Sequence, residues 1–229
     1  AMFNSDVMVL GMVNRGKTLS DARASSLNGC VAAFCDGRDR MASSGYLNLA
    51  KALELALNDG VDRMTGEPLG PRTGDPRAFA GFEDVMAAFT AQVEHFVAMK
   101  VSYDNLVRGI YAAHCPVPFT SAVIDDCIAT ATDYHAGGSH YKIATLSGVA
   151  VGTVADALSA IRTHVFDRGA FGMAELIDAL DRNWEGCEIM RQTLANKTPR
   201  YGNDDDRADE LAVQVQDIYC TAVERHTDI

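Results

Sequence analysis

Apolar residues recur with helical spacing through most of the chain. Leu49, Ala52, Leu53, Ala56 and Leu57 fall at i, i+3, i+4, i+7 and i+8, which predicts an amphipathic helix stopped by Gly60. From Phe82 a longer pattern runs through Val85, Met86, Phe89, Val93, Phe96 and Val97 toward Ala113, with room for a break. Val154, Ala157, Leu158, Ile161 and Val165 predict another helix, Met173, Leu176, Ile177 and Leu180 a further one, and Trp184 opens a short helix through Leu194. Near the C-terminus, Leu211, Val215, Ile218 and Ala222 form a stripe behind Asn203-Asp204-Asp205-Asp206, which supply an N-cap and first-turn acids. At the N-terminal side, Val7, Met8, Leu10 and Met12 give a short helical run ended by Gly16, and Ser20-Asp21-Ala22-Arg23 offers a cap for the next. Residues 120–131 read as a helix buried on Val123, Ile124, Cys127 and Ile128, with Asp125-Asp126 on its solvated side.

The interruptions are equally informative. Asn28-Gly29-Cys30-Val31-Ala32-Ala33-Phe34-Cys35-Asp36-Gly37 reads as a loop between helical segments, because Gly29 and Gly37 break regular structure and Asn28 and Asp36 are turn formers. Positions 61–81, rich in Gly and Pro, cannot be helix interior and read as a surface loop or linker. Cys115-Pro116-Val117-Pro118-Phe119 forces extended backbone. Lys142 to Val151, after Gly137-Gly138-Ser139-His140-Tyr141, is the best strand candidate. The class is α/β but helix-rich, with few strands and no internal repeat.

A net charge of −11 argues against nucleic acid and against an anionic membrane surface as partners. No apolar run reaches the roughly 20 residues of a spanning helix, and no secretory signal pattern opens the chain, so a cytoplasmic location is expected. Ala1-Met2 reads as a cut point. The six cysteines, at 30, 35, 115, 127, 187 and 220, show no CxxC pairing and read as reduced thiols. Neither they nor the scattered histidines have zinc-ligand spacing, and Asp204 to Asp206 read as a helix cap in preference to a metal site. A cysteine between turn residues, as Cys30 is, is a candidate reactive group, although a free cysteine is more often a small buried apolar residue.

Several stretches together resemble the glycyl radical enzymes. They are Asn28-Gly29-Cys30-Val31, the run from Gly45-Tyr46-Leu47-Asn48 to Val61-Asp62, Gly70-Pro71-Arg72-Thr73-Gly74-Asp75-Pro76-Arg77, the run from Pro116 to Cys127, and Pro199-Arg200-Tyr201-Gly202-Asn203-Asp204-Asp205-Asp206. More narrowly, they resemble the pyruvate formate-lyase-like branch with its glycerol, propanediol and hydroxyproline dehydratases and choline and isethionate lyases. The resemblance runs in order along nearly the whole chain. It implies one partial pyruvate formate-lyase-like domain over residues 1–229, a helix-rich piece of a ten-stranded α/β barrel. It also implies that Cys30 is the catalytic residue: a glycyl radical takes its hydrogen atom, and the resulting thiyl radical takes one from a small-molecule substrate.

The resemblance further implies no bound metal or organic cofactor, a radical S-adenosylmethionine activating enzyme as partner, a homodimer at full length, and an anaerobic setting. The segment bearing the radical glycine is absent from this sequence, so the chain reads as a central fragment inactive by itself. One position departs from the dehydratases and lyases: where they carry Glu two residues after the cysteine as general acid/base, this chain has Ala32. Alanine exchanges no proton. Asp36 or Asp39 could stand in. Alternatively the parent performs C–C bond chemistry, as the fumarate-adding enzymes do, or is a non-catalytic truncated homologue.

Overall fold

The computed structural model of the chain describes residues 4–28 and 32–226. In chain order its elements are α1 (Ser5–Asn14), α2 (Leu19–Arg23), β1 (Ser26–Asn28), β2 (Ala32–Phe34), β3 (Asp39–Asn48), α3 (Leu49–Ala56), α4 (Phe82–His114), α5 (Pro118–Ser121), α6 (Asp125–Thr130), β4 (Tyr141–Val149), α7 (Val151–Ile161), α8 (Met173–Asp181), α9 (Glu188–Asn196) and α10 (Asp206–Glu224). The strands form two two-stranded sheets, β1 with β2 and β3 with β4. The chain divides into two compact units, Ala1–Ser44 with Tyr103–Thr145 and Gly45–Ser102 with Leu146–Thr227. It crosses between them within β3, α4 and β4.

The second unit is built on an apolar core. Leu49, Ala52, Leu53 and Ala56 of α3, Val85, Phe89, Val93 and Val97 of α4, Val154 and Leu158 of α7, Leu176 and Ile177 of α8, and Leu211, Val215 and Tyr219 of α10 are buried in one cluster. These are the residues of the helical stripes, and burying each large one contributes about 1.5–3 kcal/mol. Asn48 caps α3 through its side chain, and Asp205 caps α10. Tyr219 donates its hydroxyl to the Leu146 carbonyl at 2.7 Å, and burial pushes its pKa up to about 12.

Several elements differ from the sequence expectation. α4 runs unbroken for 33 residues. The 61–81 stretch is a loop, as its Gly and Pro residues predict, and hydrogen bonds at its ends order it. Asp59 accepts from the Arg72 guanidinium (2.6 Å) and from the amides of Thr73 (2.8 Å) and Gly74 (2.9 Å). Gln92, fully buried on α4, donates to the Pro71 carbonyl at 2.8 Å. Gly60 has φ +77° and lies so close to the Pro71 and Gly70 carbonyls that a Cβ would collide with backbone. Asp62 accepts from Lys51 and from Thr65 (2.8 Å); the Lys51 bond, ahead of the Thr65 one, lowers its pKa to about 2.

The helix expected over 120–131 is two short helices, α5 and α6. Only Ile124 and Cys127 of its expected apolar face are buried, and Val123 and Ile128 are exposed. Pro118 starts α5 at its N-terminal position, and Ala131 ends α6 in the left-handed conformation; one stripe cannot run through both. Trp184 lies in a turn with φ +67°, and the helix that follows begins at Glu188. The cysteine stretch, expected as a loop, contains β2 and the end of β1 and so contributes to a β-ribbon.

The first unit is held differently. Its buried side chains include Met12, Ala22, Ile124 and Cys127, but also Lys17, Asp39, Arg40, Asp104 and Arg108. Asp133 ties the segment after α6 to α5, accepting from the Val117 amide, the Ser121 hydroxyl and the His135 amide at 2.8 Å each. Burial pushes its pKa up, and these hydrogen bonds outweigh burial and hold it below the usual carboxylate range. His135 binds the Cys115 carbonyl through Nδ1 at 2.8 Å and stacks on Tyr111.

Candidate active site

β1 and β2 pair antiparallel with Ser26 opposite Phe34, Leu27 opposite Ala33 and Asn28 opposite Ala32. Residues 29–31, including the expected catalytic Cys30, join the two strands and lie outside the described residues. What the structure describes on either side of them is the ribbon itself. Two strands of three residues are marginal in water by themselves, so the ribbon depends on what holds its root.

The root is a buried polar knot. Cys35 follows β2, and its amide donates to Asp39 Oδ2 at 2.6 Å. The amides of Arg38 and Asp39 return to the Cys35 carbonyl at 3.1 and 3.0 Å, closing a tight turn through Gly37. Asp39 is 0% exposed and forms an ion pair with Lys17, whose side chain is 4% exposed. Lys17 Nζ also lies 3.5 Å from Cys35 Sγ and 5.2 Å from the centre of the Tyr141 ring. Asp21 of α2 accepts from the Tyr141 hydroxyl (2.6 Å) and from Arg38 (3.2 Å), and its carbonyl lies 3.3 Å from Cys35 Sγ.

The electrostatics follow from these contacts. The Tyr141 hydrogen bond, with Thr18 and Arg38 adding to it, holds Asp21 below its ordinary value. Burial pushes the Cys35 thiol up; Lys17 opposes this and Asp39 reinforces it. Cys35 is thus a neutral buried thiol. Asp39 Oδ1 is buried without a hydrogen-bond partner.

Of the two acids considered as replacements for the missing glutamate, Asp39 is occupied by Lys17 and the Cys35 amide. Asp36 is exposed and accepts from the Ser26 hydroxyl at 2.6 Å, tying the far strand of the ribbon to the turn. Ala32 is partly buried opposite Asn28. Sequence reasoning missed Lys17: a single lysine between two short helices carries no signal of burial, and only tertiary structure brings it to Asp39. Asp205 caps α10 and pairs with Arg207 at 2.7 Å. Among the described residues no group of three His, Cys, Asp or Glu side chains is arranged to hold a metal ion.

Comparison with known proteins places this ribbon in a family. The model of the family described as pyruvate formate lyase-like matches residues 1–229. The chain is 40% identical to trans-4-hydroxy-L-proline dehydratase of Clostridioides difficile over 97% of its own length and 28% of the relative's. It is 33% identical to (2S)-3-sulfopropanediol dehydratase of Klebsiella oxytoca, covering 96% of this chain and 27% of that one. Among solved structures it superposes on the hydroxyproline dehydratase of C. difficile with bound trans-4-hydroxy-L-proline at a TM-score of 0.92 (39% identity, 96% of this chain, 28% of that one). The glycerol-bound, B12-independent glycerol dehydratase of Clostridium butyricum gives 0.93 (32% identity, 99% and 28%). The chain thus spans little more than a quarter of these relatives, as a helix-rich part of their barrel fold with no closed barrel among the described residues. The chain belongs to the pyruvate formate lyase-like family of glycyl radical enzymes.

Proposed function

We propose that the complete protein is a glycyl radical lyase or dehydratase acting on a small polar metabolite, with Cys30 as its catalytic residue. The observation that carries this reading is the family match through all of residues 1–229 with Gly29-Cys30-Val31 between two paired strands. The glycyl radical takes the hydrogen atom of the Cys30 thiol and becomes glycine, leaving a thiyl radical. The thiyl radical takes a hydrogen atom from a substrate carbon and is restored to thiol, leaving a carbon radical that loses its leaving group. The product radical takes the hydrogen atom back from the thiol, and the thiyl radical takes one from glycine, restoring the glycyl radical. The relevant bonds are close in strength, so proximity in a water-poor pocket decides the rate. A low thiol pKa plays no part in such homolytic transfer.

The radical glycine is supplied by a part of the protein outside this chain and is installed by a radical S-adenosylmethionine enzyme. A homodimer in an anaerobic cytoplasm completes the proposal. Among the described residues no helix is long and apolar enough to cross a membrane.

A second reading rests on Ala32. With no acid there, and with Asp39 held in a buried ion pair, proton-assisted loss of water lacks its nearest proton carrier. C–C bond chemistry, including addition to a double bond, then fits better than dehydration. Anaerobic incubation of the complete gene product with its activating enzyme decides between them. Trans-4-hydroxy-L-proline, glycerol, propane-1,2-diol and isethionate form the first substrate panel. Turnover abolished in Cys30→Ser supports the reading, and turnover that persists in Cys30→Ser overturns it.

A further inference from the structure

We propose that residues 197–202 form a strap released by acid, with His164 as its catch. The strap joins α9 to α10 and is tied to α7 at several points. Ser159, buried on α7, donates to the Pro199 carbonyl at 2.8 Å. Asp156, one turn earlier, accepts from the Tyr201 amide at 2.8 Å and from the Arg200 guanidinium at 3.2 Å. Asp209 of α10 accepts from the Gly202 amide at 3.0 Å. The Tyr201 ring closes over the first turn of α7, where a Cβ on Gly152 would lie 3.1 Å from it. His164 completes the set: it is 1% exposed, and its Nε2 lies 3.1 Å from Thr198 Oγ1.

The direction of that last bond follows from Thr198. Its hydroxyl donates to the Leu194 carbonyl at 2.6 Å, so its oxygen accepts from His164 and the neutral ring carries its proton on Nε2. A second ring proton leaves this bond intact but places a charge in hostile surroundings. The charged groups that bear on the ring are Arg168, from the loop before α8, and Lys197 of the strap; both are cations. Arg162 and Asp167, on the same π-turn as His164, are not among them, and neither is any carboxylate. On the other side the neighbour is the Phe171 ring, 6.5 Å away between centres. Burial, and after it Arg168, disfavours the charged ring; a hydrogen bond with the Lys197 backbone favours it and is outweighed.

Opening the strap brings water to the ring and carries Lys197 away, so opening takes up a proton. Well above the ordinary value of 6.5 both states hold a neutral ring, and closure is indifferent to pH. Between that value and the lowered one of the closed state, each pH unit downward favours opening about 10-fold.

Hydrogen exchange of the complete protein, resolved by residue, reads the strap through the Tyr201 and Gly202 amides. Exchange is expressed as protection against the unstructured rate at the same pH, which removes the intrinsic pH dependence. The proposal predicts constant protection of both amides above about pH 7 and loss of about 10-fold per pH unit below it, while the interior amides of α7 keep theirs. His164→Gln keeps a donor for Thr198 and takes no charge, so its protection should stay flat. The double variant Arg168→Gln/Lys197→Gln changes only exposed side chains and serves as a check that leaves the buried ring in place; it should shift the loss to a narrower pH range. Flat protection in wild type overturns the proposal, as does an equal loss in His164→Gln or an unchanged loss in the double variant. Parallel loss throughout α7, or loss confined to residues 168–172, overturns it too, since the strap would then not be the part that opens.

Discussion

The two units bury different things. In Gly45–Ser102 with Leu146–Thr227, five helices place aliphatic and aromatic side chains in one cluster, and Gln92, Ser159, His164 and one charged residue, Asp62, are buried polar side chains serving neighbouring loops. Ser159 donates to the Pro199 carbonyl at 2.8 Å, and His164, in the π-turn Arg162–Asp167 that follows α7, meets Thr198 at 3.1 Å. In the other unit the buried set is weighted toward charge, with Lys17, Asp39, Arg40, Asp104 and Arg108. An apolar core tolerates small rearrangements because its attraction is non-directional. A unit held by charged hydrogen bonds has few alternatives to its one geometry. The described strands on either side of residues 29–31 belong to the second kind of scaffold.

Substitutions sharpen this contrast in order of effect. Phe89→Ala removes a fully buried ring from the core and should destabilise the second unit by about 3–5 kcal/mol, read as lost amide-exchange protection along α3, α4 and α7. Asp39→Ala leaves the Lys17 ammonium buried without its partner and should cost a similar ~3–5 kcal/mol, with exchange confined to the first unit. The double change Lys17→Met/Asp39→Leu should recover most of that stability, because an apolar pair leaves no buried charge without a partner. Gly60→Ala combines φ +77° with a backbone collision and should loosen the 59–74 loop by about 1–3 kcal/mol.

Smaller effects follow. Burial, and after it Arg168, holds His164 below its ordinary value of 6.5. The neutral ring is thus favoured in the folded state, so its contribution is intact above pH 6.5 and is lost as pH falls through the depressed folded value. His164→Gln should flatten the stability profile between about pH 7 and 5, measured by denaturant midpoint against pH. Arg77→Ala, at an exposed cluster with Asp178 and Asp181, should change stability by no more than about 1 kcal/mol.

What was legible in the sequence follows the same division. The stripes of α3, α4, α7, α8 and α10 were readable because apolar burial leaves a periodic trace, and the residues named for them are largely those in the core. The family resemblance was readable from Gly29-Cys30-Val31 and the Gly-Pro-rich run at 70–77. The 61–81 stretch was legible as a loop from its Gly and Pro residues, but the bonds of Asp59, Asp62 and Gln92 that order it have no period to announce them. Helices α5 and α6 were merged because Val123 and Ile128 are apolar yet exposed. The Lys17–Asp39 pair joins residues 22 positions apart, and no local pattern announces it.

The central claim is that the Cys30 thiol exchanges a hydrogen atom with a glycyl radical elsewhere in the protein. The most direct measurement is electron paramagnetic resonance of the complete, activated gene product in H2O and in D2O, beside its Cys30→Ser variant. The account predicts a doublet in H2O for both, collapse to a singlet in D2O for wild type, and a doublet that persists in D2O for the variant. Equal collapse in the variant, or no radical in wild type while a related enzyme activates normally alongside, would contradict it.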